Sequence, residues 1–316
     1  MFSILGTGSC LPKLKVTNDD LTSIVDTSDE WIVQKTGIKS RHIITDESIT
    51  DLAFNAANSA FENAKIKASD IDLIICATVI GDTVTPSMAC LLAERLGVAC
   101  TAFDINAACS GFIYALDVVA GYFVRGRAKK ALVIGAEHLS RHINWKDRAT
   151  CVLFGDGAGA VVLGEGDGLL SIRLTTQPNS EHLAQNFTGG ESPFNKRDYG
   201  TPYVKMHGQD VYRFAVNAVA NDLVEVLNDA NLQEKDVQHF LLHQANIRII
   251  DAAINSLKFP KEKFFNTIDK TGNLSAASVP VLIDEANRAG RLKKGDIIAM
   301  CAFGAGLTTG ACVIRW

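Results

Sequence analysis

The chain has 316 residues, 47% of them hydrophobic and 21% charged, with only seven prolines. That is too long for one small core and too apolar for a disordered chain, so two packed halves around a large core are expected. A net charge of −4 offers nucleic acid no global attraction, so an anionic partner would have to meet a local basic patch. No apolar run approaches the ~20 residues that cross a bilayer, which excludes a membrane span; neither nucleic acid nor membrane is expected as a partner.

Met1 to Leu14 lacks the basic and apolar regions of an export signal, and the eight cysteines form no C-x-x-C pair and no cluster with histidine. A cytoplasmic protein without zinc or redox motifs is expected. Further along, Thr50 to Lys65 reads as an Ala- and Asn-rich amphipathic helix and Asp70 to Ile75 as a buried strand. At Thr85-Pro86-Ser87, Thr85 reads as an N-cap and Pro86 as the first residue of a helix. Thr101 to Ile105 has strand character, and Ser110 to Val124 reads as a helix ending at Gly126. Arg127-Ala128-Lys129-Lys130 precedes a strand at Ala131 to Gly135, and the turn Phe154-Gly155-Asp156-Gly157 precedes another ending at Leu163.

The order then starts again. A helix over Val211 to Ala230 leads to a strand pattern at Asp236 to Leu241, 236 − 70 = 166 residues after its counterpart. Arg291-Leu292-Lys293-Lys294 leads into the strand Asp296 to Cys301, at an offset of 291 − 127 = 164, and Phe303-Gly304-Ala305-Gly306 opens a last strand to Ile314. Two collinear matches at nearly one offset mark an internal duplication, with the join near Gly164 to Leu169. The expectation is an α/β protein of two halves, 1–165 and 166–316, with its cleft where the strand ends of the halves face each other.

Three junctions carry candidate chemistry. Cys109 lies between the strand Thr101 to Ile105 and its helix, where the helix terminus would favour a thiolate and bring a thiol to roughly 3.5–7.5; a small buried hydrophobe is the plainer reading. Gly111 lets another chain approach closely. His243 ends the second half's strand, just before a helix with Ile247, Ile250, Ile254 and Leu257 on one face, and suits either catalysis or structure. Asn273, before a helix over Ala276 to Ala289, could be its turn or cap residue. The turn Phe303-Gly304-Ala305-Gly306 brings bare amides together, as a hairpin or as an oxyanion site. Gly155-Asp156-Gly157-Ala158-Gly159 precedes a strand, so it reads as structural rather than as a dinucleotide fingerprint.

Taken together, Asp104 to Phe112 (DINAACSGF), His243-Gln244-Ala245-Asn246, Gly272-Asn273, Asp26 to Ile32 (DTSDEWI) and Phe154 to Ala160 (FGDGAGA) resemble the β-ketoacyl-acyl-carrier-protein synthase III family. The likeness spans essentially the whole chain. It implies a thiolase fold, internally duplicated and layered α-β-α-β-α, and the decarboxylative condensation that starts type II fatty acid synthesis. By the resemblance Cys109 is the nucleophile, His243 and Asn273 hold the malonyl thioester carbonyl, and the N–H groups of Cys109 and Gly306 form the oxyanion hole. It also implies acyl coenzyme A contacts at Thr27, Trp31, Lys35, Arg148, Asn246, Arg248 and Phe303, an acyl pocket bounded by Thr85 across a homodimer interface, and no metal or redox cofactor. Acidic carrier protein is expected at Arg213, Arg248, Lys258, Lys261 and Lys263. Lys35 stands where many members have arginine, and Leu274, Ala305, Leu307 and Thr309 depart from the common pattern. A relative serving a polyketide or quinolone-type pathway, or a non-catalytic acyl-binding protein, would share the fold; a degradative thiolase would use a second cysteine, for which Cys301 is the candidate.

Overall fold

Alternation of apolar runs with amphipathic helices produces two sheets of matching design. The computed structural model describes residues 1–186, 193–194, 198 and 200–316. Strands β1 (Phe2–Cys10), β2 (Leu73–Ala77), β3 (Thr101–Ile105), β4 (Lys130–Glu137) and β5 (Gly157–Glu165) form one sheet in the order β1-β5-β4-β2-β3. Strands β6 (Leu169–Asn179), β7 (His239–Leu242), β8 (Ile297–Gly304) and β9 (Gly306–Arg315) form the other, in the order β6-β9-β8-β7. In both, the first two pairings are antiparallel and the pairing of the third strand with the fourth is parallel. The duplication is therefore visible in topology, with β3 as an additional edge strand.

Six helices build the layers: α1 (Ile49–Ala64), α2 (Met88–Leu96), α3 (Gly111–Val124), α4 (Gly208–Asp229), α5 (Ile247–Leu257) and α6 (Ser278–Arg288). The central core joins Phe112, Leu116 and Val119 of α3 and Leu282 and Ile283 of α6 to Ile75 and Val133 of one sheet and Met300 and Ile314 of the other. That places α3 and α6 between the sheets. On the outer faces, α1 and α2 pack on the first sheet through Leu52, Ala56 and Leu92, and α4 and α5 on the second through Leu223 and Ile250. The α-β-α-β-α layering follows from these three cores. Among the described residues, no helix is long and apolar enough to cross a membrane.

Several boundaries differ from the sequence reading. Each repeated strand begins later than expected, at Leu73 and His239, because Ala68–Asp70 and Glu234–Asp236 form 3-10 turns closed by Asp70 and Asp236 onto Lys67 and Gln233 N–H groups. Helix α2 is capped by Ser87, not Thr85, so Pro86 precedes the helix instead of opening it. Asp104 explains the shift, since its carboxylate accepts from Met88 and Ala89 N–H at 2.7 and 2.8 Å and fixes the first turn there.

Candidate active site

Cys109, His243 and Asn273 reach one cavity of about 1010 Å³ between the two halves. Cys109 lies in the 3-10 turn Ala108–Ser110 between β3 and α3. Ala108 is held at φ +47°, a conformation that a side-chain-bearing residue adopts at a cost. Asn106 Oδ1 accepts from Ala108 N–H at 3.1 Å, and Ser110 Oγ donates to Ala107 O at 2.7 Å, holding the elbow. Gly304 at the end of β8 comes so near that a Cβ there would stand 2.7 Å from the Cys109 nitrogen. The second half repeats the device: the 3-10 turn Ser275–Ala277 precedes α6, with Ser275 at φ +48°. Gly111 lies closest to Ala77 of β2, where a Cβ would stand 3.3 Å from the Ala77 Cβ, and only at ordinary contact distance, 3.8 Å, from Ala276 of that turn.

The expected low-pKa thiolate does not appear. Burial pushes the Cys109 thiol up to about 12, the charge of Glu137 adds to the rise, and hydrogen bonds from Ser275 and its own amide offset only part of it. Loss of hydration outweighs the helix terminus, because the sulfur is nearly inaccessible.

His243 follows β7, and its N–H donates to Cys301 O at 2.8 Å, extending the sheet ladder by one bond. Its ring packs edge-on to Phe303 with centroids 5.2 Å apart. Both ring nitrogens are buried without a protein partner among the described residues, and burial pushes the imidazole down to about 3, so it is neutral. A neutral ring offers one N–H donor.

Asn273 is fixed through its backbone, which donates to Leu153 O at 2.9 Å and accepts from Gly155 N–H at 3.1 Å. Gly155 permits this crossing, since a Cβ there would meet Thr271 O at 2.5 Å. The side-chain Oδ1 accepts from Ser275 N–H at 2.8 Å, an assignment that rests on this bond and leaves Nδ2 as the free donor. The site thus presents a thiol and two neutral donors.

Trp31, Lys35, Asn246, Arg248 and Phe303 also line the cavity. Asn246 caps α5 through Arg248 N–H (2.9 Å) and donates to Lys35 O (3.0 Å), tying α5 to the short helix Asp29–Thr36 that carries Trp31. Arg148 and Thr27 stand outside the lining; the Arg148 guanidinium lies 4.7 Å over the Trp31 ring and donates to Asp26 O. Gly306, expected as an oxyanion donor, is also outside it, and Ala305 takes that place because β8 ends at Gly304 and Ala305 forms the turn. Thr85 is exposed and away from the cavity of its own chain. Cys301 is fully buried in β8 and does not reach the cavity, which removes the second cysteine a thiolase would need.

The expected basic patch is largely neutralised. Lys261 pairs with Asp251 at 2.7 Å, Lys263 with Glu234 at 2.5 Å, and Arg213 with Asp210 at 3.6 Å. Arg248, exposed at the cavity wall with its guanidinium 5.8 Å over Tyr212, and Lys258, which caps α5, form no carboxylate pair among the described residues. Sequence reasoning missed Ser275 and Glu137. Ser275 stands two residues beyond Asn273, and Glu137 is a lone acid closing an apolar strand.

The family model for 3-oxoacyl-acyl-carrier-protein synthase III matches residues 103–178, and the model of the family's C-terminal part matches residues 227–316. A beta-ketoacyl-acyl-carrier-protein synthase III of Xanthomonas campestris is 47% identical, over 99% of this chain and 98% of its own. The crystal structure of the Aquifex aeolicus 3-oxoacyl-acyl-carrier-protein synthase III is similar with a TM-score of 0.93 at 44% identity over all of both chains. That of the Thermus thermophilus enzyme gives 0.94 at 39% identity over 99% of each. With relatives this similar over the full chain, and the fold and cavity described above, the chain belongs to the 3-oxoacyl-acyl-carrier-protein synthase III family.

Proposed function

We propose that this protein condenses an acyl coenzyme A primer with malonyl carrier protein, Cys109 carrying the acyl group and His243 and Asn273 serving decarboxylation. The observation that carries this reading is the donor set: a neutral His243 and an Asn273 amide pinned by Ser275 beside the only cysteine among the lining residues. Acyl transfer forms the Cys109 Sγ–C bond and releases coenzyme A as the thiol. The malonyl thioester then places its carbonyl at the two donors. Loss of carbon dioxide leaves an enolate whose oxygen those donors stabilise, and its carbon attacks the Cys109 thioester to release 3-oxoacyl carrier protein. The N–H groups of Cys109 and Ala305 serve as the oxyanion hole, replacing the Gly306 expectation.

Trp31 and Arg148 form the adenine end of the coenzyme site, with Arg148 moving off the ring to admit the base and Thr27 beside them outside the cavity lining, and Lys35, Asn246 and Arg248 build the neighbouring wall. Carrier protein docks at Arg248 and Lys258. Thr85 acts on the acyl pocket from a second copy, since it does not reach the cavity of its own chain. Edge strand β3 supports a homodimer, having one side unpaired among the described residues, with Phe103 and Ile105 only half-buried. No metal or redox cofactor enters the scheme, and the reaction is cytoplasmic. The test is formation of 3-oxoacyl carrier protein and labelled carbon dioxide from acyl coenzyme A and labelled malonyl carrier protein. Cys109→Ala should abolish condensation; full condensation by that variant would overturn the reading.

A further inference from the structure

A buried, neutral thiol needs somewhere to send its proton, and the structure holds an unexplained carboxylate behind it. Glu137 closes β4 with no exposed surface and, among the described residues, no cationic partner. Such a group is expensive to bury unless it has work to do or several donors. Its oxygens accept from Val79 N–H (3.1 Å), Thr78 Oγ1 (3.4 Å), Ala276 N–H (3.4 Å) and Ser275 Oγ (2.9 Å). Only the hydroxyls of Thr78 and Ser275 can pass a proton on, and Ser275 alone of the two lines the cavity. Ser275 and Cys109 line the same cavity, and the Ser275 hydroxyl acts on the thiol to lower its pKa against the effect of burial.

We propose that Glu137 accepts the Cys109 proton through the Ser275 hydroxyl while the acyl group moves from coenzyme A to sulfur. As the Sγ–C bond forms, the thiol proton passes to Ser275 Oγ and the Ser275 proton passes to Glu137 Oε1. The tetrahedral oxyanion collapses, the bond from carbon to the coenzyme sulfur breaks, and the departing thiolate takes a proton back along the same path. Glu137 returns to carboxylate, and the net change is transfer of one proton from Cys109 to coenzyme A. Burial raises the Glu137 carboxyl to about 7, between a thiol at about 12 and the strongly acidic S–H of the addition step, the position general-base catalysis favours. The other titratable group that feels Glu137 is Cys76 on β2, which burial keeps protonated; the loop carrying Thr78 and Val79 and the turn carrying Ser275 and Ala276 bring no charge, and neighbouring His138 answers to Asp156, Arg141 and Asp82 instead.

Glu137 acts through Ser275 and touches no substrate, so its test must separate a relay from a latch between the halves. This inference rests on Cys109 being the acylated residue. Wild-type, Glu137→Gln and Ser275→Ala proteins would be compared for Cys109 acylation by acetyl coenzyme A, Cys109 alkylation by iodoacetamide, and malonyl decarboxylation by pre-acylated enzyme, each against pH. Wild-type acylation should rise through about pH 7 as Glu137 ionises. Both variants should lose that limb, and their acylation should fall about tenfold further than decarboxylation. A limb that persists in either variant, or acylation and decarboxylation falling together, overturns the relay. If Glu137→Gln does not fold, Ser275→Ala, which keeps the carboxylate, decides by the same criteria. If wild-type protein accepts no acyl group, the proposed function fails and the relay with it, whereas wild-type acylation with the pH limb kept in the variants overturns the relay alone.

Discussion

Replacing Gly304 with alanine tests whether the Cys109 elbow is held by contact from the second half. The new Cβ would stand 2.7 Å from the Cys109 nitrogen, 3.1 Å from the Ala108 Cβ and 3.3 Å from the Ser110 nitrogen. Ordinary contact begins near 3.4 Å, so the elbow must retreat by about 3.4 − 2.7 = 0.7 Å. None of these neighbours is a flexible side-chain end, and Ala108 already sits at φ +47°. Overpacking of this kind costs about 1–3 kcal/mol of stability, and a 1 Å misplacement of a nucleophile costs about a hundredfold in rate. Gly304→Ala should therefore lose 1–3 kcal/mol, roughly, in urea denaturation and slow Cys109 acylation by several tens of fold, roughly. Acylation within about twofold of wild type at unchanged stability would refute the reasoning, because the elbow would then have moved without consequence.

Peptide mapping after brief exposure to acyl coenzyme A should find label on Cys109 alone; label on Cys301 or Cys151, both buried away from the cavity, would contradict the site. His243, held down to about 3 by burial, is neutral at working pH, so decarboxylation by acylated enzyme should show no limb near 6.5. Linkage has the matching sign: the folded value lies below the unfolded one, so stability from neutral His243 is present above about 6.5 and is lost as pH falls through about 3, which acid denaturation of His243→Gln beside wild type would read. Arg248→Glu should weaken carrier-protein binding and reduce its salt dependence, whereas Lys261→Glu, whose cation is already paired with Asp251, should do less. Without an aromatic ring at Thr85, branched or longer primers should be accepted alongside acetyl, each buried methylene adding about 0.8 kcal/mol, or roughly fourfold in kcat/KM. Thr85→Phe should restore acetyl selectivity, and a native preference for acetyl that this change leaves alone would remove Thr85 from the pocket.

The duplication was legible because strand and helix periods survive in both halves, from Asp70 against Asp236 to Arg127 against Arg291. The triad was legible in part: strand-to-helix position singled out Cys109 and His243, and the family resemblance added Asn273. Electrostatics was not. Position at a helix terminus argued for a thiolate, yet the three-dimensional burial of Cys109 decides the opposite, and no local pattern reports how much water a turn excludes. Cross-half partners were equally hidden. Ser275 meets Glu137 across 138 residues of sequence. Within the second half, Lys263 meets Glu234 only because the stretch after α5 runs beside β7, Phe264 bridging Phe240. The helix start moved past Pro86 because Ser87 supplies the cap under Asp104, and Ala305 rather than Gly306 lines the cavity because the strand expected to end at Cys301 runs on to Gly304.

The central claim divides the labour of one cavity: Cys109 holds the acyl group, and His243 with Asn273 holds the enolate. A single-turnover experiment with Asn273→Ala tests it most directly, following acyl transfer from acyl coenzyme A and then carbon dioxide release from malonyl carrier protein on the same sample. Acylation should remain within about tenfold of wild type while carbon dioxide release falls by about 10²–10³, the loss expected for one donor to a developing oxyanion. Equal loss of the two steps, or decarboxylation that survives without the Asn273 amide, would contradict the account.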